Sequence, residues 1–335
     1  MGGMYEKDQP MKIAELGDTI YIAESEATPF GRLVPRGTPP GNMLSEWPVQ
    51  AYERRGFGGT VDGYDKDEWS KTMRQKMEAY AQWLMSDGWM VSKLANLTKT
   101  AGVGKKEKAK QMKDDSLLMA HQHERQMLSA VDTRAETGPS VSYRSRGAFS
   151  WIDPDAQGVK PVPEDFRPAS GCVYTGDLAD FAPSSMETML VAAATAKRAP
   201  VDLTGYVGLL LKAQMSSWAQ RSVDVTSQTA IQQFTLKAAE KKLINVVDFF
   251  EFDAGRVTTI PSFYLRCTEA DGEDSAYTSR SGLFLEMKMW QLCFMQQASS
   301  YLEPPKSGGA RGYHDLVALL KCLNPLGQCK VETNS

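Results

Sequence analysis

Residues 105 to 130 contain neither glycine nor proline, and no other feature constrains the fold as tightly. Glycine weakens helices through its backbone freedom and proline through its missing N–H, so an unbroken run of this length predicts one long helix. Ala109, Met112, Ser116, Met119, His123 and Ala130 fall near one face at spacings of three and four, and Leu117, Leu118, Met127 and Leu128 widen that stripe. About 25 residues at about 1.5 Å each make a rod of roughly 37 Å, long against the usual three turns. Its other side is heavily charged, so the rod should lie on a surface with one face packed. The lysines between Lys105 and Lys113 are followed at once by Asp114 and Asp115. Among such neighbours they read as a solvated helix face rather than a grip for phosphates.

The segments before the rod are irregular. Residues 1 to 27 have weak periodicity and read as an arm with one short strand, Thr19 to Ala23. Thr28-Pro29-Phe30 and Val34 to Gly41 are turn-rich punctuation, and the prolines and glycines of Pro35 to Gly41 favour an extended, non-helical path. Residues 42 to 68 then carry Trp47, Tyr52, Phe57 and Tyr64 among Gly56, Gly58 and Gly59. The glycines oppose a helix, and the aromatics oppose disorder because they need a surface to pack on. A long twisted hairpin or ordered loop results. Its rings can serve a partner or pack back on their own subunit. Farther on, Ser86-Asp87-Gly88 is a turn between two apolar triplets.

After the rod, Ser184 and Glu187 have capping-box spacing at the start of a second helix. Met186, Met189, Leu190 and Ala193 supply its buried stripe, and Pro200 stops it. Val246 to Phe263 reads as paired strands turning at Asp253-Ala254-Gly255, and Gly282 to Phe294 as another strand. Residues 226 to 243 read locally as helix.

Few chemical functions fit. The 335 residues suggest about two domains, and 42% hydrophobic with 24% charged residues is ordinary for a folded chain. No apolar run approaches the roughly 20 residues of a membrane helix, and the polar N-terminus lacks the pattern of a secretion signal. With acids slightly in excess (net charge −3), the clustered positive charge that phosphate binding requires is missing. Cys172, Cys267, Cys293, Cys322 and Cys329 are odd in number and scattered, which indicates no disulfide framework. Cys322 and Cys329 could still meet across a turn.

His121 and His123 are two apart and point to different sides of a helix. Met127 stands where the metalloprotease pattern needs a second histidine. Both histidines, with His314, read as surface or interface residues, and no metal or cofactor is expected. Gly102-Val103-Gly104-Lys105 lacks the first glycine and the hydroxyl of a phosphate loop, since Lys99 and Lys106 occupy those positions. No Gly-x-Ser-x-Gly elbow occurs. Asp62, Asp65, Asp67 and Glu68 lack calcium-loop spacing and read as a solvated tip. A soluble α+β enzyme without a familiar motif remains an alternative; it requires one deep pocket with converging polar groups.

The order of segments resembles the tailed-phage major capsid (major head) proteins of the podovirus type, which have the Hong Kong 97 fold. Thr28-Pro29-Phe30 resembles that family's opening segment, Glu46-Trp47 the entry to its extended loop, and Tyr80-Ala81-Gln82-Trp83 the way out. Gly104 to Ser129, with Ala109, Gln111 and Glu124, resembles its spine helix. Arg144-Ser145-Arg146-Gly147 resembles its Arg-x-Arg-Gly segment, Val247 to Val257 its axial strand pair, and Asn324-Pro325-Leu326-Gly327 a turn near its C-terminus. The collinear order carries the likeness. Trp69 to Met77 is more helical than that family's loop, and its glycine-rich segment after Pro200 is poorly represented.

The resemblance implies an α+β capsid fold with an arm (1–37), an extended loop (38–100), and a peripheral domain (101–180) with its spine helix at 105–130. An axial domain (181–275) and a return to the peripheral domain (276–335) follow, with strands rather than helix around Phe234 to Leu243. It implies a shell protein without enzymatic activity. Such a protein assembles with itself into hexamers and pentamers and encloses double-stranded DNA without sequence-specific binding. An encapsulin-like nanocompartment shell is the neighbouring alternative. With about 27 residues before Thr28, a built-in scaffolding domain is not expected. A separate scaffolding protein, a portal and a possible decoration protein are, with the virion as location and the host cytoplasm as the place of assembly. Trp47, Tyr52, Phe57 and Tyr64 are the expected intersubunit contacts. Lys66, Lys71 and Lys76 lie in or near the loop, but covalent crosslinking through them is not expected.

Overall fold

The computed structural model describes residues 28–51, 57–63, 65, 74–97, 107–155, 158–218, 247–268, 277–304 and 309–333. Helix and strand are mixed. In chain order the elements are α1 (Pro29–Leu33), β1 (Leu44–Gln50), β2 (Arg74–Tyr80), β3 (Gln82–Met85), β4 (Trp89–Ser92), α2 (Lys93–Leu97), α3 (Glu107–Met127) and α4 (Ala148–Trp151). Then follow β5 (Val173–Tyr174), α5 (Pro183–Lys197), β6 (Val201–Val207), α6 (Leu209–Ser217), β7 (Phe249–Phe252), β8 (Gly255–Pro261), β9 (Ser281–Leu285), β10 (Trp290–Glu303), β11 (Gly309–Cys322) and β12 (Cys329–Glu332). The expected strand Thr19 to Ala23 and the segment 226 to 243 lie outside the described residues. Two compact units emerge, one holding Thr28–Leu84, Ala120–Ala298 and Leu316–Ser335, the other including Met85–Met119 and Ser299–Asp315.

The larger unit is built on a six-stranded sheet in the order β5-β12-β9-β6-β8-β7. β6 lies parallel to β8 and antiparallel to β9, and the β7–β8 hairpin forms the expected strand pair with Phe250 opposite Val257. The sheet also recruits β5, β9 and β12 from outside 181–275. α5 lays Met186, Met189, Leu190 and Ala193 against Leu203, Val257, Phe284 and Val331. Full burial of one large apolar side chain contributes about 1.5–3 kcal/mol, an upper bound.

Two local expectations need correction here. The capping box does not form: α5 starts at Pro183, Ala182 is its N-cap, and no side chain caps it. Proline at the first position has no N–H to satisfy, and Ser184 is already inside the helix, where its carbonyl accepts from Thr188 Oγ1 at 2.8 Å. The single strand expected from Gly282 to Phe294 is two strands, β9 and β10, separated by a 3₁₀ turn at Met287–Met289. The break has a topological cause, since β9 pairs with β6 and β12 while β10 pairs with β11 in another sheet. Thr28-Pro29-Phe30 leads into the short helix α1.

In the smaller unit β4 pairs antiparallel with the first residues of β11, Trp89 opposite Gly312. A Cβ on Gly312 would stand 2.2 Å from the carbonyl oxygen of Tyr301 on β10, so only glycine lets β10 and β11 approach here. The turn at Gly88 has φ +84°, as its glycine allows.

α3 is the long helix the sequence predicts, with 21 residues, but its buried face is displaced. Ala109 and Leu118 are exposed, whereas Asp115, Met119, Glu124, Met127 and Leu128 are buried at its inner face and C-terminal end. Scoring apolar residues alone passes over two buried acids that hydrogen bonds hold in place.

Candidate assembly surfaces

The β1–β2 pair is the root of the aromatic loop. Alternation along β1 turns Ser45, Trp47 and Val49 inward and Glu46, Pro48 and Gln50 outward. Trp47 is only 8% exposed. Its indole N–H donates to the Cys322 carbonyl at 3.2 Å, its ring lies 5.7 Å from that of Trp151, and the Lys321 ammonium sits 5.5 Å above it. Trp47, expected to bury against a neighbour, is therefore seated in its own subunit. On the outer face Lys76 bonds Glu46 at 2.8 Å, and Glu78 takes Lys160 at 3.0 Å. Each partner stabilises the other's charge, which holds the Glu46 carboxyl below and the Lys76 amine above their ordinary ranges.

Beyond the root the loop changes character. Phe57 is fully exposed, Val61 is 80% exposed, and Cβ atoms added at Gly58, Gly59 or Gly63 would meet nothing within 4 Å. Tyr52, Tyr64, Lys66, Lys71, Asp67 and Glu68 lie outside the described residues. Asp62 and Asp65 are exposed, as a solvated tip requires. Further apolar side chains face outward on the larger unit at Leu209, Leu210 and Phe249, and on the smaller at Met90, Leu94 and Leu97.

The C-terminal part of the expected arm is pinned to α3. Phe30 is fully buried, its ring edge-on to Tyr206 at 5.2 Å and to Trp290 at 6.4 Å. The Phe30 and Gly31 N–H groups each donate to one carboxylate oxygen of Glu124 at 2.7 Å. Burial raises the Glu124 carboxyl to about 7, against the pull of those two bonds and of Arg32. At the adjacent position the His123 ring faces Phe294 at 5.9 Å, and Arg36 lies over the same phenyl ring. Burial and the nearby Arg36 charge lower this imidazole to about 4. Sequence reasoning gave Glu124 no individual role; the available signal was an acid inside the Met119–Met127 stripe.

Behind α3 the Arg-x-Arg-Gly segment is structural. Arg146 is 1% exposed; its guanidinium donates to Asp132 Oδ1 from Nε at 2.6 Å, Nη2 stands 2.5 Å from the same oxygen, and the group stacks 4.7 Å over Trp151. Asp132 Oδ2 accepts the Val159 N–H at 2.7 Å. An open hollow of ≈ 580 Å³ near Asp132, Asp153, Asp155 and Glu332 holds no convergent chemistry, since Asp132 is committed to Arg146 and Glu332 to Lys330 at 2.9 Å.

Within the smaller unit Ser86, Asp115 and His314 meet, yet not as a nucleophilic triad. Ser86 Oγ donates to Asp115 at 2.6 Å, and His314 Nε2 lies 3.1 Å from the Met112 carbonyl oxygen rather than on the hydroxyl. A triad requires the imidazole to accept the nucleophile's proton; this group ties α3 to β11. Among the described residues no set of three or more His, Cys, Asp or Glu could hold a metal, and no helix is long and apolar enough to cross a membrane. The five cysteines are buried free thiols, and Cys322 and Cys329 do not pair.

A family model described as SU10 major capsid protein matches residues 4–318. No curated protein matches the sequence. Among solved structures, the capsid of cyanophage P-SCSP1u aligns at TM-score 0.57 and 11% identity, over 96% of this chain and 92% of its own. The structure titled Mycobacterium phage Bobi aligns at TM-score 0.60 and 10% identity over 100% of both chains. The capsid asymmetric unit of cyanophage Pam1 gives 0.58 and 9%, over 98% of this chain and 97% of its own.

Proposed function

Since the chain belongs to the SU10 major capsid protein family and has the Hong Kong 97 fold, it is a structural protein of a tailed-phage shell, not an enzyme, and we propose that its aromatic loop is the clamp between neighbouring subunits. Self-association into the icosahedral shell, and so a place in the virion, follow from the family. The finer reading has subunits grouped as hexamers and pentamers through contacts between unlike patches. In it the β1–β2 pair holds the loop rigidly at its root, and Phe57 fills a pocket on the adjacent subunit.

Exposure of Phe57 is the observation that carries this reading. A large, fully exposed aromatic is costly to leave in water and effective at anchoring an interface. Trp47 acts indirectly, by fixing where the loop departs, and Tyr52 and Tyr64 are proposed to contact the neighbour beside Phe57. Lys76 is engaged with Glu46, which supports a shell held without covalent crosslinks. The larger unit's six-stranded sheet is the proposed axial domain, and α3 the spine of a peripheral domain. We further assign assembly to the host cytoplasm, guided by a separate scaffolding protein around a portal, with room for a decoration protein outside.

The test is Phe57→Ala. The unassembled subunit should keep its circular dichroism spectrum and melting temperature. Shell yield in negative-stain images should fall, or the shells should dissociate at lower temperature, as expected for an anchor worth about 2 kcal/mol per interface. Shells of wild-type yield and stability would remove the clamp.

A further inference from the structure

β5 and β12 run parallel, with Val173 opposite Lys330 and Tyr174 opposite Val331. Cys172 and Cys329 are the residues immediately before the paired Val173 and Lys330, so they lie side by side at the end of this ladder. Both side chains are fully buried in the core formed with Met189 and Leu190. Paired strands lie about 4.8 Å apart, inside the roughly 4.4–6.8 Å between Cα atoms that a disulfide spans. Cys172 also ends the 3₁₀ turn Ser170–Cys172, its N–H donated to the Ala169 carbonyl at 2.9 Å. Its backbone is therefore not locked into the ladder and can adjust to the dihedral angle a disulfide requires. The Cys329 thiol donates to the Met189 carbonyl at 3.6 Å.

We propose that Cys172 and Cys329 are a latent disulfide site, which a small oxidant closes when local opening of the native fold admits it to Cys172. The bond would staple β12, the last strand, to the segment entering β5, and would enclose all of α5, α6 and the strands between. One S–S bond forms and two S–H bonds break. The two electrons and two protons reduce a low-molecular-weight disulfide to two thiols, or the N=N bond of an azo oxidant to a hydrazine. The proximity of the two thiols lowers Cys172 and, with burial, raises Cys329, so Cys172 ionises first and attacks the oxidant. Cys329 then displaces the adduct, because the thiolate is the nucleophile at each step.

Such a staple constrains the unfolded chain across a very long loop, so it should be visible in stability as well as in mass. The full-length protein is incubated with diamide below its unfolding transition. Its intact mass should fall by two hydrogens, and non-reducing peptide mapping should join the Cys172 peptide to the Cys329 peptide. The thermal midpoint should rise by several degrees and return after dithiothreitol. Cys172→Ala should lose the mass change and the shift, while Cys322→Ala keeps both. If the Cys172 variant does not fold, the wild-type peptide map decides alone. An unchanged mass at a dose that oxidises the unfolded chain would overturn the proposal. So would a crosslink between any other pair, or an adduct on Cys172 that never closes.

Discussion

Trp47 and Phe57 look alike in the sequence, as aromatic residues flanking a glycine-rich stretch, yet they meet opposite surroundings. Trp47 has a ring partner, a hydrogen bond and a cation over its face, all from its own chain. Trp47→Ala should thus destabilise the isolated subunit by about 3–5 kcal/mol, the cost of emptying a buried indole site; a wild-type melting curve for the unassembled variant would contradict the burial. Gly147 is a second residue whose role only packing reveals. Its φ of −78° suits any amino acid, but an added Cβ would lie 2.1 Å from the Ser129 carbonyl oxygen. Backbone on both sides must move, so Gly147→Ala should cost more than about 2 kcal/mol, measured by urea unfolding. The Arg-x-Arg-Gly string was legible by resemblance. Its reason, Arg146 buried against Asp132 and Trp151 beside a glycine with no room, was not, because the partners come from distant parts of the chain.

At the scale of elements, α3 joins two groups with opposite pH behaviour. Glu124 has a folded-state value raised from 4.5 to about 7. The native state therefore holds the extra proton between those values, and the contribution is fully present below 4.5 and lost as pH rises through 7. His123 is lowered from 6.5 to about 4. Its contribution is present above 6.5 and lost as pH falls through 4. Each shift corresponds to about 3 kcal/mol, so between pH 4.5 and 6.5 the two nearly offset. Glu124→Gln removes one side of that balance. On acidification from pH 7 to 4.5 this variant should lose about 3 kcal/mol more stability than wild type, read from urea midpoints of the unassembled subunit at each pH. Parallel profiles would show that Glu124 does not titrate in this range. The helix itself was legible from its lack of glycine and proline. Its buried face was not, because a periodicity of apolar residues cannot register an acid whose partners are the N–H groups of Phe30 and Gly31.

For the whole molecule, the charge balance bears on what the shell encloses. With a net charge of −3 the chain has no excess cation to release counterions from a duplex. The purified subunit should not retard duplex DNA at about 0.15 M salt in a gel-shift assay, and sequence-selective binding at micromolar protein would contradict a container that holds DNA without reading it. The α+β class and the turn at Gly327 came with the family resemblance, while the sequence by itself determined the long helix, the β7–β8 hairpin, the glycine turn at Gly88, and the lack of a familiar catalytic motif. Those features depend on local propensity, periodicity and spacing, which act over a few residues and can be read in order. The tertiary structure alone decided that β9 and β10 belong to different sheets, that Trp47 faces inward while Phe57 does not, and that Cys172 lies beside Cys329. These outcomes depend on contacts between residues far apart in the chain, where strand register, burial and the satisfaction of polar groups outweigh local preference.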